Sequence, residues 1–227
     1  MIPFARMIKY GNIAPYFEYD VAYNFSQSIS YGRNPVISTV SSGTSSVVPV
    51  PVTGTGYTDM LRLTNSTINM SPDGVLDIGM RDFEYTIVFY LYPGGSSYDY
   101  VMNFSSNGTE DSVMMMRIAD SGLGNRLQFS IGAYDTGNRY SCNKTRTDLE
   151  GKVNEITIRR QQGVVTSYLN AEQMLMGSWV SPSTNLTMIN SSNVQVNKYY
   201  FGEYDGSTKF GEDIGYIDFR FKYLEEQ

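Results

Sequence analysis

The sequence predicts an all-β protein, an antiparallel β-sandwich, and three observations carry the prediction. The first is composition: 19 Tyr, 11 Phe and 21 Gly stand against only six Ala in 227 residues. Aromatic and β-branched side chains suit a pleated, half-buried surface, whereas Ala and unbranched residues suit helices. The second is periodicity, because apolar residues recur at every other position over many short runs. The third is punctuation: Gly, Asn, Asp and Ser clusters end each run, and no helical stripe exceeds two turns.

Residues 1–56 read differently from the rest. Tyr16-Phe-Glu-Tyr19 and Val21-Ala-Tyr23 lead into Ser41-Ser-Gly-Thr-Ser-Ser46 and then Val47-Val-Pro-Val-Pro-Val52. The Ser/Gly run has linker composition, and the Val-Pro alternation suits extended chain. Proline cannot donate to a ladder, so 47–52 cannot be a central strand. The expectation is an extended N-terminal arm and linker over 1–56, followed by one sandwich domain over 57–227. The arm either packs along its own domain or docks on a neighbouring subunit, and in the second case its aromatic residues Phe4, Tyr10, Tyr16, Phe17, Tyr19 and Tyr23 are the candidate docking contacts.

Strands are expected at 83–92, 99–104, 112–119, 126–134, 152–160, 164–169, 194–201 and 214–223. In the first, Phe83, Tyr85, Ile87, Phe89 and Leu91 share one face, and Pro93-Gly-Gly95 stops the run. Gly163 allows a hairpin between the fifth and sixth. In the last, Gly215, Ile217, Phe219, Phe221 and Tyr223 alternate with Tyr216, Asp218, Arg220 and Lys222, which places Asp218 beside Arg220. Residues 170–178 are the single short helical candidate.

Charge and cysteine counts exclude several chemistries. Seventeen Lys and Arg against 23 Asp and Glu give a net charge of −6, which disfavours nucleic acid. There is no histidine, so no Ser-His-Asp or Cys-His catalysis and no imidazole metal ligand. Cys142 cannot form an internal disulfide; set among Ser, Asn, Lys and Arg, it reads as exposed. The N-terminus lacks a signal-peptide pattern, and no run approaches the ~18 apolar residues of a membrane span. Synthesis in a host cytoplasm without membrane insertion is the corresponding expectation.

Several strand sequences carry a resemblance, in order, over about 57–223. Tyr85-Thr-Ile-Val-Phe-Tyr-Leu-Tyr-Pro93 resembles the FTIEFWVYP strand of concanavalin A-like, laminin-G-like jelly rolls. Leu61-Arg-Leu-Thr-Asn-Ser-Thr-Ile68 is similar to that family's first hairpin. Gly151-Lys-Val-Asn-Glu-Ile-Thr-Ile-Arg159 and Tyr168-Leu-Asn170 are similar to its GKWHHIAITR and YVNG segments. Phe201-Gly-Glu-Tyr204 and Gly215-Tyr-Ile-Asp-Phe-Arg220 resemble its last two. Two departures stand out: Val153-Asn-Glu155 replaces the family's WHH, and Ala171 replaces the turn glycine, which disfavours a type I′ turn there. The fold implied is a concanavalin A-like antiparallel jelly roll with an extended N-terminal arm. Such domains bind glycans, hydrolyse them or serve as structural modules, so the fold alone does not assign a role. The versions in bacteriophage virions, as capsid decoration, tail or fibre modules, are the ones this chain resembles in style.

Candidate chemistry is sparse. Glycosidases of this fold carry an E-x-D-x-x-E triplet on one strand, and none occurs here, so no catalytic residue is assigned. Asp205 and Asp213 are calcium candidates, but Asp-Gly-Ser is ordinary turn chemistry, so no cofactor is expected. Met114, Met115 and Met116 cannot converge on one ion, because alternation turns Met115 away from the other two. Tyr98, Tyr100, Tyr134, Tyr140 and Trp179 lie in or beside loop-like stretches and form a candidate carbohydrate platform. The leading expectation is a non-enzymatic structural component of a phage particle. Its partners would be other virion proteins and its own copies, with a trimer as the symmetric form. The alternative is a lectin-like module recognising a host or environmental glycan.

Overall fold

Two antiparallel sheets pack face to face in the computed structural model, which describes residues 17–41, 43–64, 66–94, 98–106, 112–119, 125–132, 138–178, 183–202 and 214–224. The first sheet has ten strands. Its central path runs β14 (Glu172–Gln173), β13 (Val164–Leu169), β12 (Val153–Gln161), β7 (Phe83–Leu91), β18 (Ile214–Tyr223), β1 (Val21–Asn24) and β2 (Ile29–Ser30). β5 (Asp59–Thr64) also pairs with β18 and carries β4 (Thr44–Pro49) at its side, and β16 (Met188–Ile189) pairs with β13. The second sheet has eight strands. Their order is β15 (Met176–Ser178), β11 (Arg139–Thr145), β10 (Arg126–Ile131), β9 (Ser112–Ala119), β8 (Tyr98–Ser105), β17 (Lys198–Phe201), β6 (Thr67–Ser71) and β3 (Ile37–Ser41).

The core lies between the two sheets and follows the alternation. Phe83, Tyr85, Ile87, Phe89 and Leu91 of β7 are buried against Met114, Met116, Leu127, Phe129 and Ile131 of the facing sheet. Aromatic rings fill the centre edge to face: Phe104 meets Phe201 at 5.5 Å and Phe219 at 5.6 Å between centroids. A second, smaller apolar cluster sits on the other side of the ten-stranded sheet. There Val48, Val50, Val52 and Tyr57 pack over Met60, Val88, Tyr90 and Ile217.

Four local expectations are corrected. First, the boundary at 56/57 does not separate an arm from the sandwich. β1 pairs with β18, Val21 opposite Phe221 and Tyr23 opposite Phe219, and β3 and β4 pair with β6 and β5. Tyr23 is buried, with its hydroxyl 2.7 Å from Ser38 Oγ. Low apolar content and proline, which read as linker, here belong to short peripheral strands; β4 pairs with β5 alone and ends at Pro49, as an edge strand tolerates.

Second, the alternation of β18 breaks at a bulge between Tyr216 and Asp218. Tyr216 enters the core beside Phe219, while Ile217 turns outward into the second cluster. The extra residue reverses the face for everything before it. Third, 170–178 forms β14 and β15, and the helical turn is Arg146–Leu149 instead, where the Thr145 amide donates to Asp148 Oδ2 at 2.7 Å.

Fourth, Asn170 (φ 49°) and Ala171 (φ 67°) are both left-handed, the type I′ pattern that Ala171 was expected to disfavour. Asn170 holds the turn by accepting the Glu155 amide on its side chain at 2.9 Å and donating its own amide to the Glu155 carbonyl at 2.8 Å. The twist of the β13–β14 pair and these two bonds outweigh the strain at Ala171.

Candidate functional site

The tyrosine platform does not assemble as expected. Tyr100 and Tyr140 are both buried. Tyr140 points into the core, its ring 5.0 Å from Phe129, and its hydroxyl donates to the Ile189 carbonyl at 3.3 Å and accepts the Asn190 amide at 2.9 Å. Tyr100 lies on the opposite side of the same sheet. Tyr98 opens β8, with its side chain outside the described set; Tyr134 and Trp179 lie outside the described residues. So do Phe4, Tyr10 and Tyr16 of the arm and the calcium candidates Asp205 and Asp213, while Phe17 and Tyr19 are half-buried. Among the described residues no group of three acidic, thiol or imidazole side chains converges on one point.

Cys142 is a further correction: it is fully buried, and burial pushes its thiol up to about 12 against the weaker pull of Ser167 Oγ at 3.9 Å. Its polar neighbours Ser141 and Asn143 misled because they occupy the other face of β11. Such a thiol is inert as a nucleophile.

Tyr100 leads to a polar surface on the outer face of the eight-stranded sheet. Pairing registers align Tyr100 with Arg117, Gln128, Ser141 and Gly177 across five strands. A second row aligns Thr39, Asn69, Tyr200, Asn103, Met115, Ser130 and Arg139. The facing follows from alternation: Leu127, Phe129 and Ile131 are in the core, so Gln128 and Ser130 point outward.

Arg117 organises the first row. Its Nη1 donates to the Tyr100 hydroxyl at 2.7 Å and its Nε to Gln128 Oε1 at 3.1 Å. Arg117 is only 5% exposed and Gln128, Ser130 and Ser141 are 0% exposed. Gln128 Nε2, Ser130 Oγ and Ser141 Oγ have no protein hydrogen-bond partner. A buried polar group left in that state costs about 1–3 kcal/mol. Three adjacent ones, enclosed beside a guanidinium and a phenol, form a polar layer whose open hydrogen-bonding positions match a ligand rich in hydroxyls. Around this centre Asn69, Tyr200, Arg126, Arg139 and Asn143 are half-buried. No Asp or Glu stands on either row.

The outer face of the ten-stranded sheet is different in kind. Asp218 accepts the Tyr31 hydroxyl on both oxygens at 2.7 Å, and Arg220 lies 3.2 Å from Asp218 and 3.2 Å from Glu155. The Asp218–Arg220 pair is the one expected from their spacing. Tyr57 donates to Glu155 Oε2 at 3.4 Å, and Glu84 bonds both Arg159 Nε at 2.6 Å and Lys222 at 3.1 Å. Burial raises Asp218 to about 6, opposed by the Tyr31 hydrogen bond and by Arg220. Glu84 also feels burial, but hydrogen bonds from Arg159 and Lys222 hold it below the usual carboxylate range. Nearly every charge here has an opposite partner.

No protein-family model matches the chain, and comparison with curated protein sequences finds no match. Solved structures do match by shape. Domain 4 of AbnA, a GH43 extracellular arabinanase from Geobacillus stearothermophilus, solved in complex with arabinotriose, superposes with a TM-score of 0.61 at 12% identity. The match covers 93% of this chain and 96% of that one. The sialidase of Trypanosoma rangeli, in complex with the inhibitor DANA, gives 0.60 at 8% identity over 95% of this chain. Botulinum neurotoxin type C, whose cell entry depends upon interaction with two ganglioside molecules, gives 0.55 at 12% identity over 90%. The chain spans 32% of the sialidase and 48% of the toxin chain. At these identities the likeness is one of fold: this chain is a β-sandwich of the kind found both in enzymes and in binding domains.

Proposed function

We propose that this protein is a non-enzymatic carbohydrate-binding module whose sugar-contacting surface is the outer face of the eight-stranded sheet. The observation that carries the reading is the set Gln128, Ser130 and Ser141, fully buried and without protein partners beside the Tyr100–Arg117–Gln128 chain. Sugar hydroxyls donate and accept at once, so a ring that displaces the cover over these enclosed atoms would satisfy several of them together. The absence of carboxylates from both rows fits binding without hydrolysis, which needs an acid pair. The likeness to an arabinotriose-bound domain supports the same direction.

The structural reading, a component of a phage particle with a docking arm, loses most of its premise. Residues 20–41 and 43–49 form strands and turns of the sandwich, and 50–57 pack on its ten-stranded sheet. No second observation favours it.

Titration calorimetry with neutral oligosaccharides, arabinotriose first, tests the proposal. Binding is expected to weaken at least tenfold in a Ser130→Ala, Ser141→Ala double variant that stays folded. Silence across a broad glycan panel, or binding unchanged in the variant, would overturn it.

A further inference from the structure

Most strands at the margins of the two sheets are too short to invite a partner. β2, β14 and β16 have two residues each, and β15 has three. β3 and β4 are longer, with five and six. β3 ends the order of the eight-stranded sheet, and among the described residues β4 pairs with β5 alone. No Asp, Glu, Lys or Arg occurs from Asn34 to Thr58. Edge strands are commonly blunted by charge, Lys above all, and this pair is not. Ile37, Val40 and Val47 stand 66%, 38% and 55% exposed along it.

The register of β4 shows which of its backbone groups are open. The Val50 amide donates to the Thr58 carbonyl at 2.9 Å, in line with the pairing of Val48 with Met60 and Ser46 with Arg62. Bonded pairs in an antiparallel ladder recur at every second residue, so Thr44, Ser46 and Val48 turn their backbone toward β5. Ser45, Val47 and Pro49 turn theirs away from it. The free side therefore presents two amides, of Ser45 and Val47, and three carbonyls. Pro49, which has no N–H, occupies a position that gives β5 no donor. Residues 44–47 are all exposed.

We propose that β4 pairs antiparallel with β4 of a second copy of this chain across a two-fold axis, joining the two ten-stranded sheets edge to edge. Charge chooses this occupant first. Each copy carries −6, so two copies meet with least repulsion through a surface that has no charge of its own. A partner selected by charge, such as a nucleic acid or an ionic peptide, finds nothing to grip on β4. Asp59 and Arg62 on β5, the strand behind it, are one of each sign and add no net charge. Symmetry is the second argument: an isologous contact removes the same defect from both copies at once. The Ser45 and Val47 amides of each copy meet carbonyls of the other, and Pro49 ends the ladder. Val47 is the third. Its side chain lies on the core side of the sheet, opposite Leu61, yet it is left open at the edge, and the pairing covers it.

Sedimentation velocity of the full chain over about a hundredfold range of concentration tests the pairing, because a reversible dimer follows mass action. A monomer–dimer equilibrium is expected. Val47→Lys sets two like charges at the junction, and Ser45→Pro removes a free-side amide while sparing the bonds to β5. Each should raise the dimer dissociation constant at least about tenfold, with the thermal melt of the dilute protein unchanged. Ile189→Lys, at an exposed apolar position elsewhere, should leave the constant as it is. A monomer at every concentration, or an assembly larger than a dimer, overturns the proposal. So does a dimer that either folded variant leaves intact, or that Ile189→Lys weakens equally. Should one β4 variant fail to fold, the other decides. The contact uses none of Gln128, Ser130 and Ser141, so its failure and that of the sugar face are separate results.

Discussion

The two outer faces of this sandwich are built from opposite solutions to one problem. On the ten-stranded sheet Asp218, Glu155 and Glu84 are interleaved with Arg220, Arg159 and Lys222, so that each charge has a partner within one residue's reach. On the eight-stranded sheet the polar side chains are amides, hydroxyls, tyrosines and arginines, and buried atoms of Asn69, Gln128, Ser130 and Ser141 among them have no protein hydrogen-bond partner. A charge-paired network accounts for itself as structure, although Arg220 Nε and Nη2 within it make ion-pair contacts at 3.2 Å without an aligned hydrogen bond. An unsatisfied one is retained at a cost, and a ligand that completes it is the physical reason for keeping it. Under the proposed function the contrast gives architecture to the first face and recognition to the second, and it makes opposite predictions for substitutions on each.

Removing Arg220 should have the largest effect. Arg220→Met leaves Asp218 and Glu155 without the cation they share, and breaking a largely buried pair from one side costs about 3 kcal/mol at neutral pH. The loss should shrink at about pH 5, where Asp218 takes up a proton. Urea unfolding at the two pH values measures both numbers. An equal loss at both would mean that Arg220 contributes by packing rather than charge, and would remove the electrostatic account of this face.

Next comes the pH dependence of the native protein. Asp218 has its folded pKa raised to about 6. Its contribution is therefore fully present below the unfolded value and is lost as pH rises through the folded one. A displacement of this size corresponds to at most about 3 kcal/mol between ~pH 4 and ~pH 7. Asp218→Asn should flatten that slope in thermal melts, and a slope that survives the substitution belongs to other groups.

The recognition face predicts the reverse sign. Ser130→Ala with Ser141→Ala removes two buried hydroxyls that have no protein partner, so stability should rise by up to about 1 kcal/mol while sugar affinity falls. A loss of stability of 2 kcal/mol or more would show that both hydroxyls are bonded, by ordered water for instance, and would return this face to a purely structural role.

How far the sequence shows this division differs between the faces. The alternation of 83–92 and the Asp218–Arg220 spacing are local, so the core strand and one ion pair are legible from periodicity alone. So is the outward turn of Met115, which lies on the face opposite the core-packed Met114 and Met116. The run Arg126-Leu-Gln-Phe-Ser-Ile131 alternates as well, and carried the signal for Gln128 and Ser130. What it lacks is any trace of register: that Gln128 meets Arg117 on one side and Ser141 on the other is decided by strands that only the fold brings together. Tyr140 and Cys142 were misplaced because loop-like neighbours outweighed a period of two. The first strands were misread because Ser, Gly and Pro carry no β-propensity, although a paired edge needs little of it.

The smallest effect tests the ion-pair ladder where it is most open to solvent. Glu84 is held low by Arg159 and Lys222, so it stabilises the fold above the unfolded carboxylate value and loses that contribution as pH falls through its folded one. This is the opposite sign to Asp218 one row away. Its cations are partly exposed, 40% for Arg159 and 27% for Lys222, and water screens them. Glu84→Gln should therefore cost only about 0.5–1 kcal/mol at neutral pH, and less as salt is added. The substitution should leave sugar affinity untouched, because no atom of Glu84 reaches the other sheet's outer face. If instead affinity fell with it, the two faces would be coupled through the core, and the division between a structural and a recognising face would have to be given up.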